Sequence, residues 1–189
     1  MDPLRIIMPP ELFAPAAFKH FEGAADIPLV KAGPDIYDFT EPLTWQADVT
    51  NTGGALLVTG EVRGTARTSC ARCLKETTFP VVGELEGYFL TEPEGEAPDE
   101  MEEDEFDVLP EDRAIDFRPL IIAALLMEFP LIPLCDDDCK GLCPNCGADL
   151  NEGPCGCDDP SAVKDAADAD AAPSKQNPFA VLKDFKFEE

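Results

Sequence analysis

Basic side chains are scarce in this chain: 14 Lys and Arg stand against 39 Asp and Glu over 189 residues, for a formal net charge of −25. Such a mean field repels phosphate, which argues against a protein that coats nucleic acid or an anionic membrane through bulk charge. Histidine is almost absent too. The one residue, His20, sits between Lys19 and Phe21 with no nucleophile motif beside it, and no Gly-rich phosphate loop occurs anywhere. Without a general base, an activated nucleophile or a phosphate cradle, the expectation is a protein that is not an enzyme and takes no small-molecule substrate. Long apolar runs are also missing. The most apolar stretch, Leu120 to Leu134, is broken by Glu128, Pro130 and Pro133, and is shorter than the ~20 residues of a spanning helix. The opening MDPLRIIMPPELFAP has neither a basic start nor an unbroken apolar run, so no signal peptide is expected. These absences point to a soluble cytoplasmic protein without a membrane role.

What is present is enough for a core. The apolar share is 44%, near the globular average, and the length suits one or two domains. The acidity is local: residues 92–112 hold 12 acids and no base. Mutual repulsion and the prolines within it predict a solvated loop or linker there.

Three β-runs follow one another after residue 38. Thr44 to Thr50 has strand composition, and Asn51-Thr52-Gly53-Gly54 is a turn cluster. In the second run, Ala55 to Ser69, one parity carries Val58, Val62 and Ala66 and the other carries Glu61, Arg63, Thr65 and Arg67. A strand sends these to opposite faces. The third run, Thr77 to Leu90, puts Phe79, Val81, Leu85 and Phe89 on one parity. Asp116 caps a predicted helix reaching Met127, with Ile121, Ile122, Leu125 and Leu126 as its core face. Residues 1–36 read as one short strand and one short helix. The expected fold is α+β: a small antiparallel β-meander or barrel-like core with few short helices and a C-terminal zinc-ribbon-like Cys-rich segment. By range, that is a β-rich core over 1–134 with the acidic insert 92–112, a Cys-rich segment over 135–157, a flexible Ala/Asp/Ser/Pro linker over 158–176, and a docking helix over 177–189.

The eight cysteines fall in pairs: Cys70/Cys73, Cys135/Cys139, Cys143/Cys146 and Cys155/Cys157. In a reducing compartment, thiols at such spacing form metal sites more often than bridges. Cys143-Pro-Asn-Cys146-Gly147 is the most specific of these motifs, since its turn holds two thiolates a metal's width apart while amides point at the sulfurs. Cys155-Gly156-Cys157 lies close enough to complete a local site, with Gly156 relieving the crowding. Cys70 and Cys73, at the tip between the second and third runs, would join Cys135 and Cys139 at the end of an extended Leu131–Leu134 arm. Other partitions, and reduced packed cysteines at the second site, stay open. A zinc held by four cysteines has no free position for water and stabilises a fold, so two structural zinc ions are expected. A redox role would want a βαβ pattern around a Cys-x-x-Cys, and none is visible.

Two partner sites stand out. Arg63, Arg67, Arg72 and Lys75 are four of the 14 bases within 13 residues that contain no acid. They are the candidate phosphate contacts, with a solvated strand face as the competing reading. In the tail, Asn177-Pro178 starts a helix whose Phe179, Leu182 and Phe185 share a face, suited to docking on a partner or on its own domain.

In order along the chain stand Cys70-Ala-Arg-Cys73-Leu74, the acidic insert, the Leu131–Leu134 arm ending in Cys135, Cys139-Lys-Gly-Leu-Cys-Pro-Asn-Cys-Gly-Ala-Asp-Leu-Asn151, Cys155-Gly-Cys157 and Asn177-Pro-Phe-Ala-Val-Leu182. This ordered set resembles the large ribosomal RNA subunit accumulation protein family, the bacterial YceD proteins. The resemblance implies a cytoplasmic role in synthesis, processing or stability of large-subunit 23S rRNA, with no catalytic activity. Combined with the acidity, it suggests that rRNA or its precursor is engaged through a basic ribosomal or assembly protein. The alternative is a zinc-ribbon interaction module outside ribosome biogenesis, such as a transcription-associated one.

Overall fold

The computed structural model describes residues 4–92, 95, 98, 101–102 and 105–157. The expected linker over 158–176 and docking helix over 177–189, with Phe179, Leu182 and Phe185, lie outside the described residues. The chain divides into two compact units, residues 1–141 and 142–189, so Cys135 and Cys139 belong with the β-rich unit.

That unit is built on an antiparallel sheet. Its strands are β2 (Phe18–Ala25), β3 (Leu29–Ala32), β4 (Asp35–Asp38), β5 (Leu43–Asn51), β6 (Ala55–Ser69), β7 (Glu76–Leu90) and the two-residue β8 (Asp107–Val108). β5, β6 and β7 form the expected meander. Along β6 the even positions Val58, Val62 and Ala66 are buried, and from Thr59 onward the odd ones face outward. β6 is the hub. On one side it pairs with β5 and, at Arg67, with β4; on the other it pairs with β7 over its whole length. β2 and β3 end the path on that first side. The sheet does not close on itself, so the barrel-like reading gives way to an open sheet. β1 (Arg5–Ile7) pairs with β9 (Ala114–Asp116) in a separate ribbon, pinned by an Arg5–Asp112 ion pair at 2.7 Å.

The N-terminal region holds more strand than its composition suggests: β1, a single 3-10 turn over Pro10–Phe13, then β2 to β4. β2 is an edge strand that buries only Ala25, so no apolar alternation marks it. The acidic loop is also shorter than 92–112. Asp107 and Val108 join the sheet and Leu109 is buried, because this end of the insert carries apolar side chains.

One helix, α1 (Phe117–Glu128), covers the inner face of β6 and β7. The Asp116 carboxylate accepts from Arg118 N at 2.9 Å, and Pro119 sits in the first turn, where its missing N–H costs no helix bond. Phe117, Ile121, Ala124 and Leu125 point inward, while Ile122 is half-buried and Leu126 is exposed. Phe117 stacks on Trp45 at 4.6 Å. Gly83 allows the helix to sit this close, for a Cβ there would come within 2.6 Å of the Ala124 carbonyl oxygen. At the far end of α1, Phe129 stacks on Tyr37 at 3.9 Å and the Tyr37 hydroxyl donates to Pro130 O at 3.2 Å. This anchor aims the following arm at the tip of the β6–β7 hairpin. Among the described residues, no helix is long and apolar enough to cross a membrane.

Candidate metal centre

The hairpin tip between β6 and β7 is Cys70-Ala-Arg-Cys73-Leu74-Lys75. Two backbone bonds shape it: Cys70 N donates to Lys75 O (2.8 Å) and Leu74 N donates to Cys70 O (2.9 Å). The arm leaving α1 is tied on by Ala71 N, which donates to Pro133 O at 2.8 Å. Cys135 and Cys139 thereby meet the tip. The Cys70 and Cys139 sulfurs lie 3.8 Å apart, those of Cys73 and Cys135 lie 3.5 Å apart, and all four fall within 4.8 Å of one another. Cys70, Cys73 and Cys139 are buried and Cys135 is exposed.

The second unit repeats this device. Cys143 N donates to Ala148 O and Gly147 N donates to Cys143 O, both at 2.8 Å. These are the same two bonds at the same offsets as in the hairpin tip. Gly147 takes φ +73, the left-handed conformation that the turn demands after its second cysteine. Gly156, between Cys155 and Cys157, takes φ +76. The four sulfurs of Cys143, Cys146, Cys155 and Cys157 also lie within 4.8 Å of one another. Here only Cys143 is buried.

The thiols of each group perturb one another. Burial pushes Cys70 up, but backbone N–H donors of Cys73, Cys135 and Arg72 more than offset it and bring the thiol down to about 6. Cys139 and Cys73 push Cys135 up to about 12. In the second group the N–H groups of Cys146 and Asn145 bring Cys143 to about 7, while Cys146 and Cys155 push Cys157 to about 12. Each group therefore holds one thiol ready to ionise and one that resists, because further thiolates would place like charges in contact. A divalent cation among the sulfurs removes that resistance.

The donor geometry fits such an ion. Tetrahedral zinc with Zn–S bonds of about 2.3 Å sets its sulfurs about 3.8 Å apart, close to the separations found. A disulfide would need about 2.05 Å, so these are free thiols. Four soft sulfur donors select a thiophilic metal over magnesium or calcium. Either group could hold one ion.

The basic residues singled out as phosphate contacts have nearer partners. Arg63 forks onto the Glu61 carboxylate at 2.7 and 2.8 Å. Arg67 reaches Glu76 at 3.6 Å and Asp38 at 3.9 Å. Arg72 donates to the carbonyl oxygens of Cys139 (2.8 Å) and Asp137 (3.3 Å). Lys75 contributes its carbonyl to the tip turn. Only Arg67 takes its acids from neighbouring strands, Asp38 of β4 and Glu76 of β7, a consequence of register that spacing alone does not reveal. Arg72 also has a structural duty that its motif did not signal: it clamps the loop carrying Cys139. His20 lies on the outer face of β2 with Nδ1 2.8 Å from the Asp48 carboxylate.

A family model for large ribosomal RNA subunit accumulation protein YceD matches residues 58–186. An uncharacterised protein of Mycobacterium tuberculosis is 40% identical over 103 residues, covering 52% of this chain and 47% of that protein. One from Mycobacterium leprae is 30% identical over 115 residues, covering 61% and 52% respectively. The chloroplastic large ribosomal RNA subunit accumulation protein YCED homolog 1 of Arabidopsis thaliana is 27% identical over 150 residues, covering 65% and 46%. The chain spans about half the length of the curated relatives it matches. No solved structure matches it. The matched region begins within β6 and takes in all eight cysteines of both groups, and on that footing the chain belongs to the YceD family.

Proposed function

We propose that this protein is a non-enzymatic factor in large ribosomal subunit biogenesis, supporting the synthesis, processing or stability of 23S rRNA in the cytoplasm. The observation that carries this reading is the family match over residues 58–186. It is supported by the name of the Arabidopsis relative. Each group of four cysteines holds one zinc ion in this reading. Four sulfur ligands leave no position for water or substrate, so both ions are structural. The first fastens the β6–β7 tip to the arm from α1, and the second orders a segment that has no helix or strand of its own among the described residues.

The charge layout favours a protein partner over bare RNA. On the outer face of the sheet, Glu22, Gln46, Glu61 and Glu84 stand opposite one another across β2, β5, β6 and β7. Asp48 and Glu86 extend the acidic surface, and Glu61 engages Arg63. A basic ribosomal or assembly protein suits such a face, and any RNA contact falls to Arg63, Arg67, Arg72 and Lys75. Gradient sedimentation of gently lysed cells tests the reading. The protein should travel with large-subunit precursors and leave them after salt. Co-migration with RNA polymerase instead would favour a transcription-associated zinc module.

A further inference from the structure

The open side of β7 carries a surface with defined chemistry. Leu109 N donates to Leu90 O at 2.8 Å, so Leu90 turns its backbone away from β6, while Thr91 N donates to Gly54 O on the β6 side. The β6–β7 register runs without a bulge from Ala55 opposite Leu90 to Ser69 opposite Glu76. Every second residue back from Leu90 must therefore point its N–H and C=O to the open side: Tyr88, Glu86, Glu84 and Val82. Pro80 has the same parity, which places its missing N–H where β6 does not need one. β8 occupies this edge only at Phe89 and Leu90. From Tyr88 to Val82 no strand pairs with it among the described residues.

A hollow of about 370 Å³ lies along that edge, lined by Glu84 and Glu86 of β7 and by Leu120, Ala123, Met127 and Glu128 of α1 among others. Glu84 and Glu86 face away from α1, so a hollow touching both must wrap the edge itself. Its two sides differ. The α1 side is apolar, with Met127 84% exposed, and beyond it Leu131 is 98% exposed. The outer side is acidic. The Glu84, Glu86 and Glu128 carboxylates have no ion-pair or hydrogen-bond partner among the described residues.

We propose that the β7 edge is a docking site for an extended segment of a basic protein, added to the sheet as a further strand. Such a strand makes main-chain bonds to Val82, Glu84, Glu86 and Tyr88. Its side chains alternate between the two sides, so charge complementarity asks for Lys or Arg facing Glu84 and Glu86, and apolar residues facing Leu120 and Met127. The geometry stands apart from the ribosomal reading and is tested apart from it.

The probe is a fluorescein-labelled nine-residue peptide of alternating Lys and Val, titrated into the full chain and read by anisotropy. Saturable binding is expected, weakened at least tenfold by N-methylating alternate peptide amides, which removes strand pairing and keeps the charge. Glu84→Pro should weaken binding to a similar degree while leaving the melting curve in place, as Pro80 already does at the same parity. Hydrogen exchange should show the Val82, Glu84 and Glu86 amides fast in the free chain and slowed by the peptide. Absence of binding, or binding indifferent to N-methylation, would overturn the proposal. So would slowed exchange at these amides on raising protein concentration alone, or on adding RNA in place of the peptide. Should Glu84→Pro unfold the protein, the N-methylated peptide decides the question alone.

Discussion

Leu74 and Gly147 occupy the same place in two copies of one turn. Each follows the second cysteine of a Cys-x-x-Cys, and each donates its N–H to the first cysteine's carbonyl, at 2.9 and 2.8 Å. Each has positive φ, +62 and +73. Glycine adopts that conformation freely, whereas a leucine there costs about 1 kcal/mol. Leu74 is 67% exposed, so little burial offsets the strain.

Leu74→Gly should therefore stabilise the metal-loaded protein by up to about 1 kcal/mol in urea unfolding, less what added chain freedom takes back. Gly147→Ala should act oppositely. It strains the second turn by about 1 kcal/mol and weakens zinc there about fivefold, measured by competition with a chromogenic chelator. Unchanged affinity in Gly147→Ala would show that the turn does not hold the ligands.

Native mass spectrometry of protein prepared with zinc should show two ions per chain, and Cys146→Ser should leave one. A chelator should strip the 143–157 group first, because three of its four cysteines are at least partly accessible, whereas three of the other four are buried. Simultaneous loss of both ions would contradict that order.

Arg72→Ala should speed zinc loss from the first group several-fold and lower stability by about 1 kcal/mol, since two carbonyl acceptors lose their donor. Arg72→Lys should restore little, because a lysine ammonium lacks the guanidinium fork. The second group should be unaffected in both variants, which separates a clamp from a general loss of fold.

Gly83→Val should cost about 2 kcal/mol by forcing α1 off β7. Thermal melts of the variant read this directly, and a melt equal to the wild type would mean that the helix is not fixed by this contact.

Much of this architecture is legible in the residues alone, and for physical reasons. β6 alternates over a long run, so its parity announces both its faces and its ends. The eight cysteines sort into two fours because one set closes a short loop and the other has a hairpin tip to meet. α1 shows its cap and its stop. What stays hidden depends on neighbours. β2 is an edge strand without an apolar face. The counter-ions of Arg67 depend on register: Asp38 is brought in across the β4–β6 pairing and Glu76 by the return of β7. Arg72 serves as a clamp only because Asp137 and Cys139 fold back over it. No spacing rule relates those positions.

Depleting the protein in cells and measuring mature 23S against 16S rRNA, together with free 50S and 30S particles, tests its role in large-subunit biogenesis. A selective fall in 23S rRNA and 50S particles is expected, restored by the wild-type chain and not by a variant lacking the first cysteine group. An unchanged 23S to 16S ratio under full depletion, with no second homologue present, would contradict that role.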